Sequence, residues 1–200
     1  MRIIGLCGGS GSGKGAVAKI LSLRGAKHID ADKVYHSMVS GPSALIDELS
    51  AEFGDSIVSA DGGLDRKALA SIVFAEGAID KQKKLNSITH KYVIDKIRAL
   101  IDLYRSDGTC AVVVDAPLLF ESGFDKECDS IICVIASKDI RISRIMARDG
   151  ISAENAEKRI ATQLSDEALI ARCDHVIENN GSPELLEREV GRVADCLNIF

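Results

Sequence analysis

The sequence predicts an α/β fold: a doubly wound parallel sheet of about five strands, with a helical insertion and a lid. Short apolar runs rich in β-branched residues recur along the chain, and segments of helical period separate them. One connection, about 80 residues between the second and third runs, is too long for a single crossover helix.

The runs are "RIIGLC" (2–7), "AKHI" (26–29), "CAVVVD" (110–115), "SIICVIA" (130–136) and "DHVIE" (174–178). They lack polar alternation, which suits strands covered on both faces. Ala16, Val17, Ile20 and Leu21 follow the first run at helical spacing. Val93, Ile94, Ile97, Leu100, Ile101 and Tyr104 mark a long amphipathic helix before the third. Leu185, Leu186, Val190, Val193 and Leu197 mark the last helix, with a Ser182 cap and Pro183 in its first turn. Inside the long connection, "SALIDELSAEF" and "DRKALASIVFAE" read as helices and "SADGG" (59–63) as a turn. The expected organisation is one chain, 1–200, with a core over 1–31, 108–138 and 172–200. A helical substrate-binding insertion covers 32–107, and a lid covers 139–171.

The 200 residues carry a net charge of −5, so no broad basic face is available for nucleic acid. No apolar stretch approaches the length of a membrane span, and "MRIIGLCGG" is too short for a signal peptide. The six cysteines include no C-x-x-C pair. They read as buried thiols of a reducing compartment rather than as disulfides or a zinc site, so a cytoplasmic protein is expected.

Six glycines fall between residues 5 and 15, and Gly8, Gly13 and Lys14 satisfy G-x-x-x-x-G-K between a strand and a helix. Glycine lets consecutive N–H groups converge on phosphate oxygens, and the helix N-terminus adds partial positive charge. Lys14 is placed to reach the terminal phosphates of a nucleotide. Position 15 usually holds a hydroxyl that ligates Mg²⁺; Gly15 offers no side-chain oxygen. Mg²⁺ commonly keeps several waters, so the site is expected to be weakened for metal rather than destroyed.

Asp30 and Asp32 follow the second strand, at the rim where ligands bind in an open α/β sheet. Asp32 reads either as a carboxylate that orients a substrate hydroxyl or as a helix N-cap. Asp115 ends a buried run, as a residue near the metal of a phosphoryl-transfer site does. Arg144 and Arg148 share a helix face at i, i+4, either to clamp phosphate or as a solvated basic face; Arg141 precedes them. Arg159 and Gln163 lie beyond the turn "DGIS". His90 is a candidate substrate contact or a structural histidine.

These residues resemble the dephospho-coenzyme A kinase family over nearly the whole chain. The resemblance rests on "IGLCGGSGSGKG", "IDADKV", "FGDSIVSADGGLDRKALASIVF", "LNSITH", "VVVDAPLLFESGFDKECD", "RISRIMARDGIS", "RIATQ" and "DHVIENNG". It implies a P-loop kinase fold, with ATP and Mg²⁺ as cofactors and dephospho-coenzyme A as the small-molecule substrate. The γ-phosphoryl group would pass to the ribose 3′-hydroxyl, the last step of coenzyme A synthesis. By motif match Asp32 falls on the proposed catalytic base. Gly11, Ser12, Gly13, Lys14, Gly15 and Ala16 fall on the ATP-binding loop, and Arg144 and Arg148 on the lid arginines. A monomer with no nucleic-acid or membrane partner is the expectation. The chain departs from the family pattern in "GSGKGA" where "GSGKST" is usual. It departs too at Ser10, where an apolar residue is usual, at Lys91, commonly proline, and at Arg141, commonly glutamine.

Overall fold

A computed structural model describes residues 1–117 and 119–199. Its sheet contains β1 (Arg2–Cys7), β2 (Lys27–Asp30), β3 (Ala111–Asp115), β4 (Ser130–Ile135) and β5 (His175–Glu178). The strand order is β2-β3-β1-β4-β5, and every pairing is parallel. Each predicted run forms its strand, with bounds moved by at most one residue. The unbroken apolar character of Val112, Val113 and Val114 follows from their burial. β1 lies between β3 and β4, so its carboxyl end opens onto the switch point of the sheet, where α/β folds bind ligands.

The chain divides into two compact units, Met1–Asp30 with Ile101–Phe200, and Ala31–Leu100. In the first, α1 (Lys14–Leu23) and α9 (Pro183–Cys196) contribute Val17, Leu21 and Val190 to a core shared with Ile4, Val113 and Ile132 of the sheet. Truncating a fully buried leucine such as Leu21 to alanine costs about 2–5 kcal/mol. The same unit holds α6 (Lys138–Asp149), α7 (Ala153–Ala161) and α8 (Asp166–Ile170). Ser152 and Ser165 cap α7 and α8, accepting from the backbone N–H of Asn155 and Ala168. Ser182 stands at the N-cap of α9 with Pro183 in the first turn, as expected, but its side chain makes no capping hydrogen bond.

The second unit contains α2 (Ala31–Val39), α3 (Ala44–Phe53), α4 (Arg66–Val73) and most of α5 (Ile79–Ser106). Val39, Leu45, Leu49, Ile57, Leu69 and Ile88 give it a hydrophobic core of its own. Ser43 caps α3 through the N–H of Ile46, and Asp65 caps α4 through those of Lys67 and Ala68. The "SADGG" segment turns on a Ser59 N–H bond to the Gly63 carbonyl, with Gly62 at φ 79°. Among the described residues no helix is long and apolar enough to cross a membrane.

The expectation of buried thiols holds for Cys7 and Cys133 and is corrected for the others. Cys110 and Cys196 are exposed, Cys128 and Cys173 half-buried, and Cys7 and Cys133 buried. Apolar neighbours in sequence do not decide which end of a strand or helix faces solvent.

Candidate active site

The loop between β1 and α1 is built by glycine geometry. Gly8, Gly11 and Gly13 all have positive φ, at 144°, 78° and 102°. None of the three has room for a side chain: a Cβ would lie 2.3 Å from the Val134 carbonyl oxygen at Gly8, 2.6 Å from the Arg141 carbonyl oxygen at Gly11 and 2.0 Å from Asn179 Nδ2 at Gly13. Lys14 and Gly15 open α1, in the first turn, where a helix leaves backbone N–H groups without an intrahelical acceptor, as an anion site requires. Ser12 Oγ is buried without a hydrogen-bond partner among the described residues. The Lys14 ammonium folds back onto the Gly8 carbonyl at 3.0 Å.

Elements far along the chain hold this loop from outside. Arg144 of α6 donates to the carbonyls of Gly11 (3.3 Å), Ser12 (3.2 Å) and Asn179 (3.1 Å), and to Asn179 Oδ1 (3.2 Å). Asn179, directly after β5 and only 5% exposed, donates from Nδ2 to the Ser12 carbonyl at 2.8 Å. Arg141 donates to the Ser10 carbonyl, to Asp166 at 3.2 Å and to Gln163 at 3.1 Å. Burial raises the Asp166 carboxyl above its usual range, and the Arg141 charge opposes that rise.

Asp115 ends β3 in register with Leu6 of β1, just before the loop, and with Asp30 at the end of β2. The strand ends therefore bring Asp30 and Asp115 side by side. Asp32 is exposed in the first turn of α2; the helix begins at Ala31, so Asp32 is not its N-cap.

The two α6 arginines are not together. Arg144 grips the loop, whereas Arg148 is 60% exposed and binds both oxygens of Asp149 at 2.7 and 2.9 Å. Asp149 also pairs with Arg159 of α7, and these hydrogen bonds, Arg148's first, hold its carboxyl down at about 2. His90 is half-buried on α5. Beside it, Lys91 donates to Glu48 at 2.8 Å, and with Tyr92 it holds the Glu48 carboxyl below its usual range.

Gly15 is open. A Cβ built there meets nothing within 4 Å, and its φ is not positive, so no packing or backbone demand selects glycine. Asn179 and Gln163 had no assigned role in the sequence reading. Their separations of 167 and 153 residues from the loop leave no local periodicity to reveal them.

A glycine-built loop at the switch point of a parallel sheet, followed by Lys14 and a helix, defines a P-loop kinase. The fold agrees: a shikimate kinase from Bacteroides thetaiotaomicron superimposes with a TM-score of 0.57 over 98% of each chain, at 13% identity. A crystal structure from Thermus thermophilus matches with a TM-score of 0.79 and 33% identity, covering 98% of this chain and 97% of that one. The sequence pattern of the dephospho-CoA kinase family matches residues 2–184. The dephospho-CoA kinase of Corynebacterium diphtheriae is 41% identical over 188 residues, 94% of this chain and 93% of the relative. The chain belongs to the dephospho-CoA kinase family. P-loop kinases use ATP, normally with a divalent metal.

Proposed function

We propose that this chain transfers the γ-phosphoryl group of ATP to the ribose 3′-hydroxyl of dephospho-coenzyme A, the final step of coenzyme A synthesis. The family match over residues 2–184 carries the reading.

The loop fits a polyphosphate. Its glycines leave a cradle, Ser12 Oγ has no partner among the described residues, and Lys14 supplies a positive charge. Backbone N–H groups from Gly11 to Ala16 bind the phosphate oxygens, and Lys14 leaves the Gly8 carbonyl to join them. Arg144 and Asn179 fix the loop's shape by occupying its outward carbonyls, so the N–H groups are oriented before the nucleotide arrives. Asp115 would hold Mg²⁺ for the protein, since Gly15 and Ala16 offer no side-chain oxygen. When bound, that ion neutralises charge on the transferring group. Asp32 orients the acceptor hydroxyl and takes its proton on a carboxylate oxygen.

The segment 139–171 acts as a lid in this reading, and Arg148 joins the phosphates after releasing Asp149. His90 contacts the substrate from the insertion 32–107. The protein works as a cytoplasmic monomer.

The test is a comparison of acceptors with ATP and Mg²⁺ held constant. Dephospho-coenzyme A is expected to give the highest kcat/KM against shikimate and a set of nucleosides. An equal or higher value with any of those acceptors would overturn the substrate assignment.

A further inference from the structure

The sheet gathers three cysteines that no spacing motif links. Cys7 closes β1, Cys133 is its register partner on β4, and Cys173 lies two residues before β5. Their sulfurs all lie within 4.8 Å of one another, with Cys7 and Cys173 at 3.3 Å. Cys7 and Cys133 are buried and Cys173 is half-buried, so the cluster has a dry side and one side open to entry.

We propose that Cys7, Cys133 and Cys173 form a site for one thiophilic cation, Cu⁺ or Zn²⁺, at the root of the phosphate-binding loop. Soft thiolates select these ions over Mg²⁺, which keeps to oxygen ligands. Three sulfurs complete a trigonal shell for Cu⁺; Zn²⁺ adds a water as its fourth ligand from the half-open side at Cys173.

The thiols already share hydrogen bonds. Those from Cys133 and Cys7 hold the Cys173 thiol below its usual range, and the same sharing raises Cys133. Binding is an exchange without oxidation. Three metal–thiolate bonds form, and the protons that the thiols carried pass to solvent. The surrounding charges are Lys14 of α1, which acts on Cys133, Asp166 of α8, and Arg172 and Asp174 flanking Cys173. Cys7 is bonded to Gly8, whose carbonyl holds Lys14, so an occupied site anchors the first residue of the loop.

The experiment titrates the reduced full-length protein anaerobically with Cu⁺ and, separately, Zn²⁺, each buffered by a chromophoric chelator. The protein is expected to remove one equivalent of at least one of the two ions. Cys7→Ser, Cys133→Ser and Cys173→Ser are each expected to weaken binding by at least about 10-fold. Cys173→Ser is the variant least exposed to misfolding, because that residue is half-buried. The double variant Cys110→Ser, Cys196→Ser, which removes the exposed thiols, is expected to bind normally. Failure to take up either ion, or uptake that survives Cys173→Ser, would overturn the site. So would uptake lost with the two exposed thiols, or a Cys7–Cys173 disulfide forming under mild peroxide while no cation binds. Uptake is read without turnover, so its failure leaves the kinase assignment standing.

Discussion

Arg141 donates from Nε to the backbone carbonyl of Ser10 at 2.9 Å. Both positions are read from the sequence as departures from the pattern it resembles, and they are in direct contact. Gln163 binds both: its Oε1 accepts from Ser10 N at 2.9 Å and from Arg141 at 3.1 Å, and its Nε2 donates to Ser10 Oγ at 3.0 Å. A hydroxyl at position 10 thus has a partner that an apolar side chain would not use.

Removing this arginine should be costly. Arg141 is 5% exposed, and its loss leaves Asp166 and the Ser10 carbonyl short of a donor. Arg141→Ala is expected to destabilise the fold by about 3 kcal/mol, the low end for a broken buried pair because Asp166 keeps some contact with solvent. Urea unfolding measures it, with Arg141→Gln losing less. A change below about 0.5 kcal/mol would show that the network carries no net stability.

Gly15→Ser restores the missing oxygen at a position with space for it. Exchanging a water for a hydroxyl ligand is worth about 1 kcal/mol, so the Mg²⁺ concentration for half-maximal activity should fall roughly five-fold. Serine also favours the helix by a few tenths of a kcal/mol over glycine, so the melting temperature should not drop. An unchanged metal dependence would refute the idea that Gly15 leaves a ligand position to water.

Asp32→Asn keeps the shape of the side chain and removes its basicity. The expected outcome is a kcat lower by about 10²–10⁴-fold with ATP affinity unchanged. Single-turnover kinetics with a separate nucleotide-binding titration distinguish the two. Turnover within a few-fold of the unaltered protein would remove Asp32 from the role of base.

The α6–α7 junction carries a pH signature. The Asp149 carboxyl is held at about 2 in the folded chain, below its usual 3.8, by Arg148 and then Arg159. A depressed folded value adds stability above the unfolded value and loses it as pH falls. Stability should therefore decline between about pH 4 and pH 2, and Asp149→Asn should flatten that part of the profile. Urea midpoints across this range, in low salt, provide the measurement; identical profiles would contradict it.

Much of this fold was legible because burial on both faces writes itself into a parallel strand. Val112, Val113 and Val114 are one apolar run for that reason. "SALIDELSAEF" and "DRKALASIVFAE" were legible as helices, and the structure adds that Ser43 and Asp65 cap them. Ser182 and Pro183 were legible as the start of α9, although the Ser182 hydroxyl makes no capping bond. Asp32 was expected either at a cap or in a site, and it lies inside the first turn of α2. The loop motif was legible, but its supports were not. Arg144 and Arg148 share a helix face, yet one meets backbone carbonyls and the other the adjacent Asp149. Asn179 and the cysteine cluster depend on the order in which strands assemble, which spacing along the chain does not encode.

The most direct test of the kinase assignment is product formation by the purified protein with ATP, dephospho-coenzyme A and a Mg²⁺ series, followed by ³¹P NMR. The account predicts a new phosphomonoester on the ribose 3′-oxygen, formed in step with ADP and rising with Mg²⁺. No such product at any Mg²⁺ concentration, from protein that still binds ATP, would contradict it.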